Sequence, residues 1–85
     1  MTEREARLAV ADHMAHTLQC HKCGDTDYEC DPGRTLRVAA MGACDQVGPD
    51  AVERLYTLAA AAPIDGCGPK AAAAAVYGWL LKAAS

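Results

Sequence analysis

One histidine and three cysteines, His16, Cys20, Cys23 and Cys30, lie within fifteen residues of this 85-residue chain. Imidazole nitrogens and thiolates are the ligands that zinc prefers, and three cysteines with one histidine make the closed, tetrahedral set of structural zinc sites. His16 and Cys20 are four residues apart, so in a helix both side chains project from one side of the last turn. The Cys20-x-x-Cys23-Gly24 turn would direct a second thiolate to the same ion.

Cys30 is the natural fourth ligand. It stands directly before Asp31-Pro32, which has the pattern of an N-cap followed by proline at the first helical position. Unpaired N–H groups and the helix dipole favour a thiolate at such a position. Metal binding would also offset a thin core, because the chain is rich in alanine and contains no phenylalanine. The sequence therefore predicts one Zn2+ ion held by His16, Cys20, Cys23 and Cys30.

Two other histidines are alternative ligands. His13 precedes Cys20 by seven residues on the same predicted helix, and His21 lies inside the Cys20–Cys23 turn, where side chains usually point away from the ion. The alternative interpretation is that both are surface histidines that bind no metal. His16 therefore remains the favoured imidazole ligand.

An iron–sulfur cluster is the alternative cofactor. It would need four thiolates and would leave His16 unused, so Cys44 is the residue that separates the two interpretations. Cys67 is predicted to be a spare thiol. A catalytic zinc needs an open coordination position and usually a nearby acid, and Glu29 is the only acid near the motif that we consider for that role. We therefore expect no enzyme. The alternative iron–sulfur cluster would be held by Cys20, Cys23, Cys30 and Cys44.

The elements that must position these ligands are helical. Thr2 and Glu5 have the spacing of a capping box at the start of a helix. The apolar periodicity and the Pro and Gly positions predict a single domain over residues 1–85, an all-α bundle of about four helices with a zinc knuckle between the first and second. The predicted helices run from about Glu3 to about Gln19, from Asp31 to about Cys44, through Val52, Leu55, Tyr56 and Ala59 to a point before Pro63, and from Pro69 or Lys70 to about Ala84.

The charge balance argues against nucleic acid as a partner. Eight Lys and Arg residues against eleven Asp and Glu residues leave a formal charge of −3, which provides no basic field for phosphates. The N-terminal residues lack the apolar run of a secretory signal, and the apolar stretch 71–81 is shorter than the roughly 20 residues that span a bilayer. We expect a cytoplasmic protein that binds neither nucleic acid nor membrane.

The last predicted helix is apolar on more than one side. Its large side chains exceed what one face of a domain this small should bury, so we expect them to bind another protein, with a homo-oligomer as a further possibility. The competing interpretation is that this helix is the central helix of the bundle and its side chains are core. The residues concerned are Val76, Tyr77, Trp79, Leu80 and Leu81.

The eight-residue motif His16-x-x-x-Cys20-x-x-Cys23 resembles that of the zinc-associated anti-sigma domains. The resemblance implies a small helical regulator of transcription that binds a sigma factor or another polymerase component. In that family the remaining ligand comes from upstream of the motif, whereas here the obvious candidate, Cys30, is downstream. The alanine-rich and arginine-rich composition is typical of high-GC bacteria such as actinobacteria and of their phages.

A second resemblance favours the redox alternative. The spacing Cys20-x-x-Cys23-x6-Cys30 is similar to that of the cluster-binding WhiB-like regulators of actinobacteria, although their Gly-Val-Trp-Gly-Gly turn is absent. Thiolate ligands can also be oxidised directly, with loss of the metal as the switch. A thiol-based or iron–sulfur redox sensor is therefore the alternative function.

Overall fold

Four α-helices follow one another in the computed structural model, which describes residues 2–20, 23, 29–66 and 68–82. No strand occurs in those ranges, and Cys20 and Cys23 lie between the first helix and the second. The all-α prediction, with the knuckle between the first two helices, is therefore confirmed. None of the helices described combines the length and apolar character needed to cross a membrane. The helices are α1 (Glu3–Gln19), α2 (Asp31–Val47), α3 (Pro49–Ala60) and α4 (Pro69–Lys82).

The predicted start of α1 is present as a hydrogen bond. The hydroxyl oxygen of Thr2 accepts from the Glu5 backbone N–H at 3.2 Å, which caps α1. α2 continues to Val47, beyond the predicted end near Cys44, and is joined to α3 by the single residue Gly48. Gly48 has a φ of 91°, a conformation that glycine adopts without the steric cost of a side chain.

The core is divided between the two sides of α1. On one side α1 packs against α2 and α3, and on the other side it packs against α4. Seven of the eleven buried hydrophobic residues in the described ranges are alanines, so the core contains few large side chains. Such a core leaves much of the folding free energy to other sources. The largest fully buried side chains are Leu55, Val76 and Leu80.

α1 buries residues outside one narrow apolar stripe. Leu8, Ala11, Ala15 and Leu18 recur at three- and four-residue spacing along α1; Ala11 is buried and Ala15 and Leu18 are half-buried, but Leu8 is exposed. The other buried residues of α1 are Ala6 and Val10. The physical reason is that α1 lies between two helices, so its contacts spread around its circumference and use small residues.

α4 is part of the core, and only some of the residues of the predicted binding face reach the surface. Val76 and Leu80 have no exposed surface, because they pack against Ala11 of α1, so the prediction that they bind a partner is wrong. Tyr77 and Leu81 are half-buried. Trp79 is exposed at its edge, and its indole N–H donates to the Leu58 carbonyl oxygen at 2.9 Å, which ties α4 to the end of α3.

Candidate metal centre

The four predicted ligands converge. One ligand atom from each of His16, Cys20, Cys23 and Cys30 lies within 4.8 Å of the other three, and all four residues are half-buried. The Cys30 sulfur is 3.1 Å from His16 Nε2, 3.7 Å from Cys20 Sγ and 3.5 Å from Cys23 Sγ. Residues up to fourteen positions apart in the sequence thus form one compact donor set.

The size of this donor set suits a single ion. With Zn–S bonds of about 2.3 Å, the edges of an ideal tetrahedron are about 3.8 Å between two sulfurs and about 3.6 Å between sulfur and nitrogen. The two sulfur–sulfur distances from Cys30, 3.7 and 3.5 Å, are close to that edge. The His16–Cys30 distance of 3.1 Å is shorter, so a bound ion would move the imidazole outward by a few tenths of an ångström.

Helix ends position three of the four ligands. His16 lies in the last turn of α1, and Cys20 ends that helix with an extended backbone and donates its N–H to the His16 carbonyl at 2.7 Å. Cys30 is the N-cap of α2, and its sulfur accepts from the Gly33 backbone N–H at 3.3 Å. The start of α2 therefore holds the Cys30 sulfur, and the N-cap is Cys30 and not Asp31, which the Asp31-Pro32 pattern predicted, because the helix begins one residue earlier.

Gly33 forms one wall of the centre, and sequence reasoning missed it. A Cβ atom at this position would lie 2.7 Å from Cys23 Sγ, 3.2 Å from Cys30 Sγ and 3.3 Å from His16 Cδ2. The first of these distances is shorter than real Cβ contacts, so only glycine lets α2 approach the ligands this closely. The available signal was a glycine in the first turn of a helix, where the residue has no conformational advantage.

The crowded thiols need a cation to ionise together. The pKa of the Cys23 thiol is raised: a backbone hydrogen bond from Cys30 lowers it, but burial and the neighbouring thiols of Cys30 and Cys20 together outweigh that effect. Negative charges this close repel one another, so ionising one thiol disfavours ionising the next. A divalent cation reverses this balance, because thiolates bind metal in the deprotonated form.

An ion pair fastens the residue before Cys30 to α2. Arg37 donates from Nε and Nη2 to the two carboxylate oxygens of Glu29, at 2.7 and 3.2 Å. Arg34 Nε approaches the same carboxylate at 3.7 Å. The Arg37 hydrogen bonds hold the pKa of Glu29 below its usual value. Glu29, the one acid that sequence analysis considered as a catalytic base, is therefore held ionised by an arginine on α2.

The other predicted ligands lie outside the donor set. His13 is on α1 but is not part of the cluster, and its pKa is lowered mainly by burial, against the opposing charge of Glu29. Cys44 lies fourteen residues after Cys30 in the same helix, which separates them by about 21 Å along the axis. The four-thiolate set with Cys44 is therefore wrong, because a continuous helix keeps Cys44 away from the other three. His21 and Cys67 lie outside the described residues.

Comparison of the whole chain with protein-family models, with curated proteins and with solved structures found no match. The resemblance to the anti-sigma domains is thus limited to the motif from His16 to Cys23.

Proposed function

We propose that His16, Cys20, Cys23 and Cys30 hold one Zn2+ ion that stabilises the fold. The observation that carries this proposal is the convergence of four donor atoms within 4.8 Å. Four protein ligands fill a tetrahedral shell and leave no position for water or substrate, which is the property of structural zinc sites. Thiolate and imidazole donors also favour zinc over hard cations such as Mg2+ or Ca2+.

The ion would join the end of α1 to the start of α2. His16 and Cys20 belong to the first of these ends, and Cys30 caps the second. The core that must otherwise hold the helices together is built mainly from alanine. Because the unfolded chain has no preformed site, the free energy of metal binding becomes free energy of folding. Removal of the ion should therefore loosen the contact between α1 and α2 first.

The role of the stabilised domain is, in this proposal, to bind another protein as a cytoplasmic regulator and not to catalyse a reaction. A closed metal shell and the ion pair that occupies Glu29 both favour binding over catalysis. The anti-sigma-like motif gives the partner a candidate class, a sigma factor or another polymerase component. The described apolar side chains that are most exposed, Val38, Met41 and Tyr56, are on α2 and α3.

A redox sensor is the second candidate, and it is favoured by the proximity of the thiols. Cys23 and Cys30 sulfurs are 3.5 Å apart, so two-electron oxidation by a peroxide could join them as a disulfide while the peroxide is reduced to water and the zinc is released. Retention of zinc and of all thiols under mild peroxide treatment would rule this candidate out.

Metal analysis of variants tests the main proposal. We expect one zinc per chain in protein purified without added metal, and loss of that zinc in His16→Ala and in Cys30→Ser. Cys44→Ser is the matched control, because it also removes a half-buried thiol on α2 but lies far from the centre. Zinc loss in Cys44→Ser, or iron with visible absorbance in the wild type, would contradict the proposal.

A further inference from the structure

The outward face of α2 carries an ordered stripe of four residues, Arg34, Val38, Met41 and Asp45, spaced by four, three and four positions. At about 100° per residue they fall within an arc of about 60°, opposite the buried Ala43. Val38 is 57 % exposed and Met41 is 56 % exposed. The stripe therefore places two apolar side chains in water between a cation at one end and an anion at the other.

The order of these residues is self-complementary. Arg34 lies four positions before Val38, and Asp45 lies four positions after Met41. A two-fold axis midway between Val38 and Met41 would bring a second, antiparallel α2 into a register in which Val38 meets the partner's Met41. The same axis would place Arg34 against the partner's Asp45. Each contact would occur twice, as in any isologous interface.

We propose that two copies of this chain associate through this stripe, with their α2 helices antiparallel. The Arg34 side chain is 65 % exposed, and its Nε approaches Glu29 Oε1 at 3.7 Å. Asp45 is exposed and has no ion-pair partner among the residues described. The opposite charges at the two ends therefore fix the direction and register of pairing, while the apolar centre supplies the attraction.

The surface beside the stripe extends the apolar contact. Tyr56 of α3 is 59 % exposed and lines, together with Met41 and Asp45, a cleft of about 500 Å³ between α1, α2 and α3. The spacing of four, three and four positions is that of helices that cross at about 20°. From Arg34 to Asp45 such a contact would run for about 17 Å.

The small size of the stripe indicates a weak and reversible association. Its apolar centre consists of two large side chains, Val38 and Met41, with Tyr56 beside them. A contact of this length and composition belongs at the low end of the size range for specific complexes. A dimer of this kind should form at micromolar concentrations or above, and added salt should weaken it because its end contacts are exposed.

Sedimentation equilibrium of the zinc-loaded protein tests the proposal through charge reversal. Arg34→Asp and Asp45→Arg should each weaken self-association at least about tenfold, because each turns two attractions per dimer into two repulsions. An equimolar mixture of the two variants should associate again as a heterodimer, since every end contact is then between opposite charges. Arg4→Asp and Glu53→Arg are the matched controls, because they make the same charge changes on exposed positions of α1 and α3.

The outcomes separate clearly. The antiparallel register is supported if each single variant self-associates more weakly than the wild type, the equimolar mixture associates again, and the control variants associate like the wild type. A wild type that stays monomeric up to about 1 mM, a concentration at which even weak contacts of this size are populated, would overturn the proposal. Unchanged association in the single variants, or a mixture no better than either variant alone, would also overturn it. Zinc content and helical circular dichroism, measured on each variant, show that the fold is kept, and Val38→Asp gives a second disruption if either reversal alters Glu29.

Discussion

Replacing Gly33 by alanine should damage the metal centre although alanine is the better helix former. At an ordinary helical position this change stabilises a protein by roughly 0.5–1 kcal/mol. At Gly33 the new Cβ would lie 2.7 Å from Cys23 Sγ, about 1 Å inside an ordinary carbon–sulfur contact. Either Cys23 or the first turn of α2 must move. The Cys30 sulfur and the His16 ring, at 3.2 and 3.3 Å, limit the space on the other sides.

The magnitude follows from these distances. Overpacking of a filled site costs typically about 1–3 kcal/mol, and displacement of groups that support metal ligands lowers metal affinity by roughly 10- to 100-fold. We therefore expect zinc affinity to fall at least about tenfold in Gly33→Ala. This loss is expected although alanine has the higher intrinsic helix propensity. In zinc-free protein the clash can relax, so helical content should be equal to or higher than that of the wild type.

Competition with a chromophoric chelator measures the affinity, and circular dichroism measures the helicity of the zinc-free chain. Gly42→Ala and Gly78→Ala are matched controls, because an added Cβ at either helical glycine meets nothing within 4 Å. Both should leave zinc affinity unchanged and stabilise the protein by roughly 0.5–1 kcal/mol. If Gly33→Ala binds zinc as tightly as these controls, the proposed approach of α2 to the ligands is refuted.

Two further predictions concern the core and the remaining thiol. Leu80→Ala should lower the free energy of unfolding of the zinc-loaded protein by about 2–5 kcal/mol in a denaturant titration, because this side chain is fully buried, whereas the exposed Leu8→Ala should cost below about 1 kcal/mol. A cost at Leu80 no larger than at Leu8 would contradict the buried position of α4. Burial raises the pKa of the Cys44 thiol, and the nearby Asp45 carboxylate raises it further. In a zinc-loaded Cys67→Ser variant the alkylation rate of Cys44 should therefore still be rising above pH 9. Asp45→Asn should move that rise to lower pH, and an unchanged profile would exclude the charge of Asp45 as a cause.

Much of the architecture could be predicted because its signals are local. The start of α1 at Thr2 depends on residues within one helical turn and is present as a hydrogen bond, whereas the N-cap of α2 is Cys30, one residue before the predicted Asp31. The preference for Cys30 over Cys44 also follows from local order, since a thiol beside a helix start is near the Cys20–Cys23 turn and one about four turns later is not.

Tertiary packing decided the remaining features. The apolar residues of α4 were recognised from the sequence, but only the position of α1 determines that Val76 and Leu80 are buried while Trp79 reaches the surface. Periodicity shows that a helix has an apolar side and does not show which neighbour covers it. The same limit applies to Val38 and Met41. Both are exposed, although their apolar side chains are of the kind that usually forms a core.

The sequence by itself therefore determined the four helices, the cap at Thr2 and which four residues converge as a possible metal site, because each depends on residue type and on spacing along a regular backbone. The tertiary structure alone decided which apolar side chains are core, how closely α2 approaches the ligands at Gly33, and that Arg37 holds Glu29 beside the centre. These features depend on distances between different elements, and such distances are set by the packing of all the helices together.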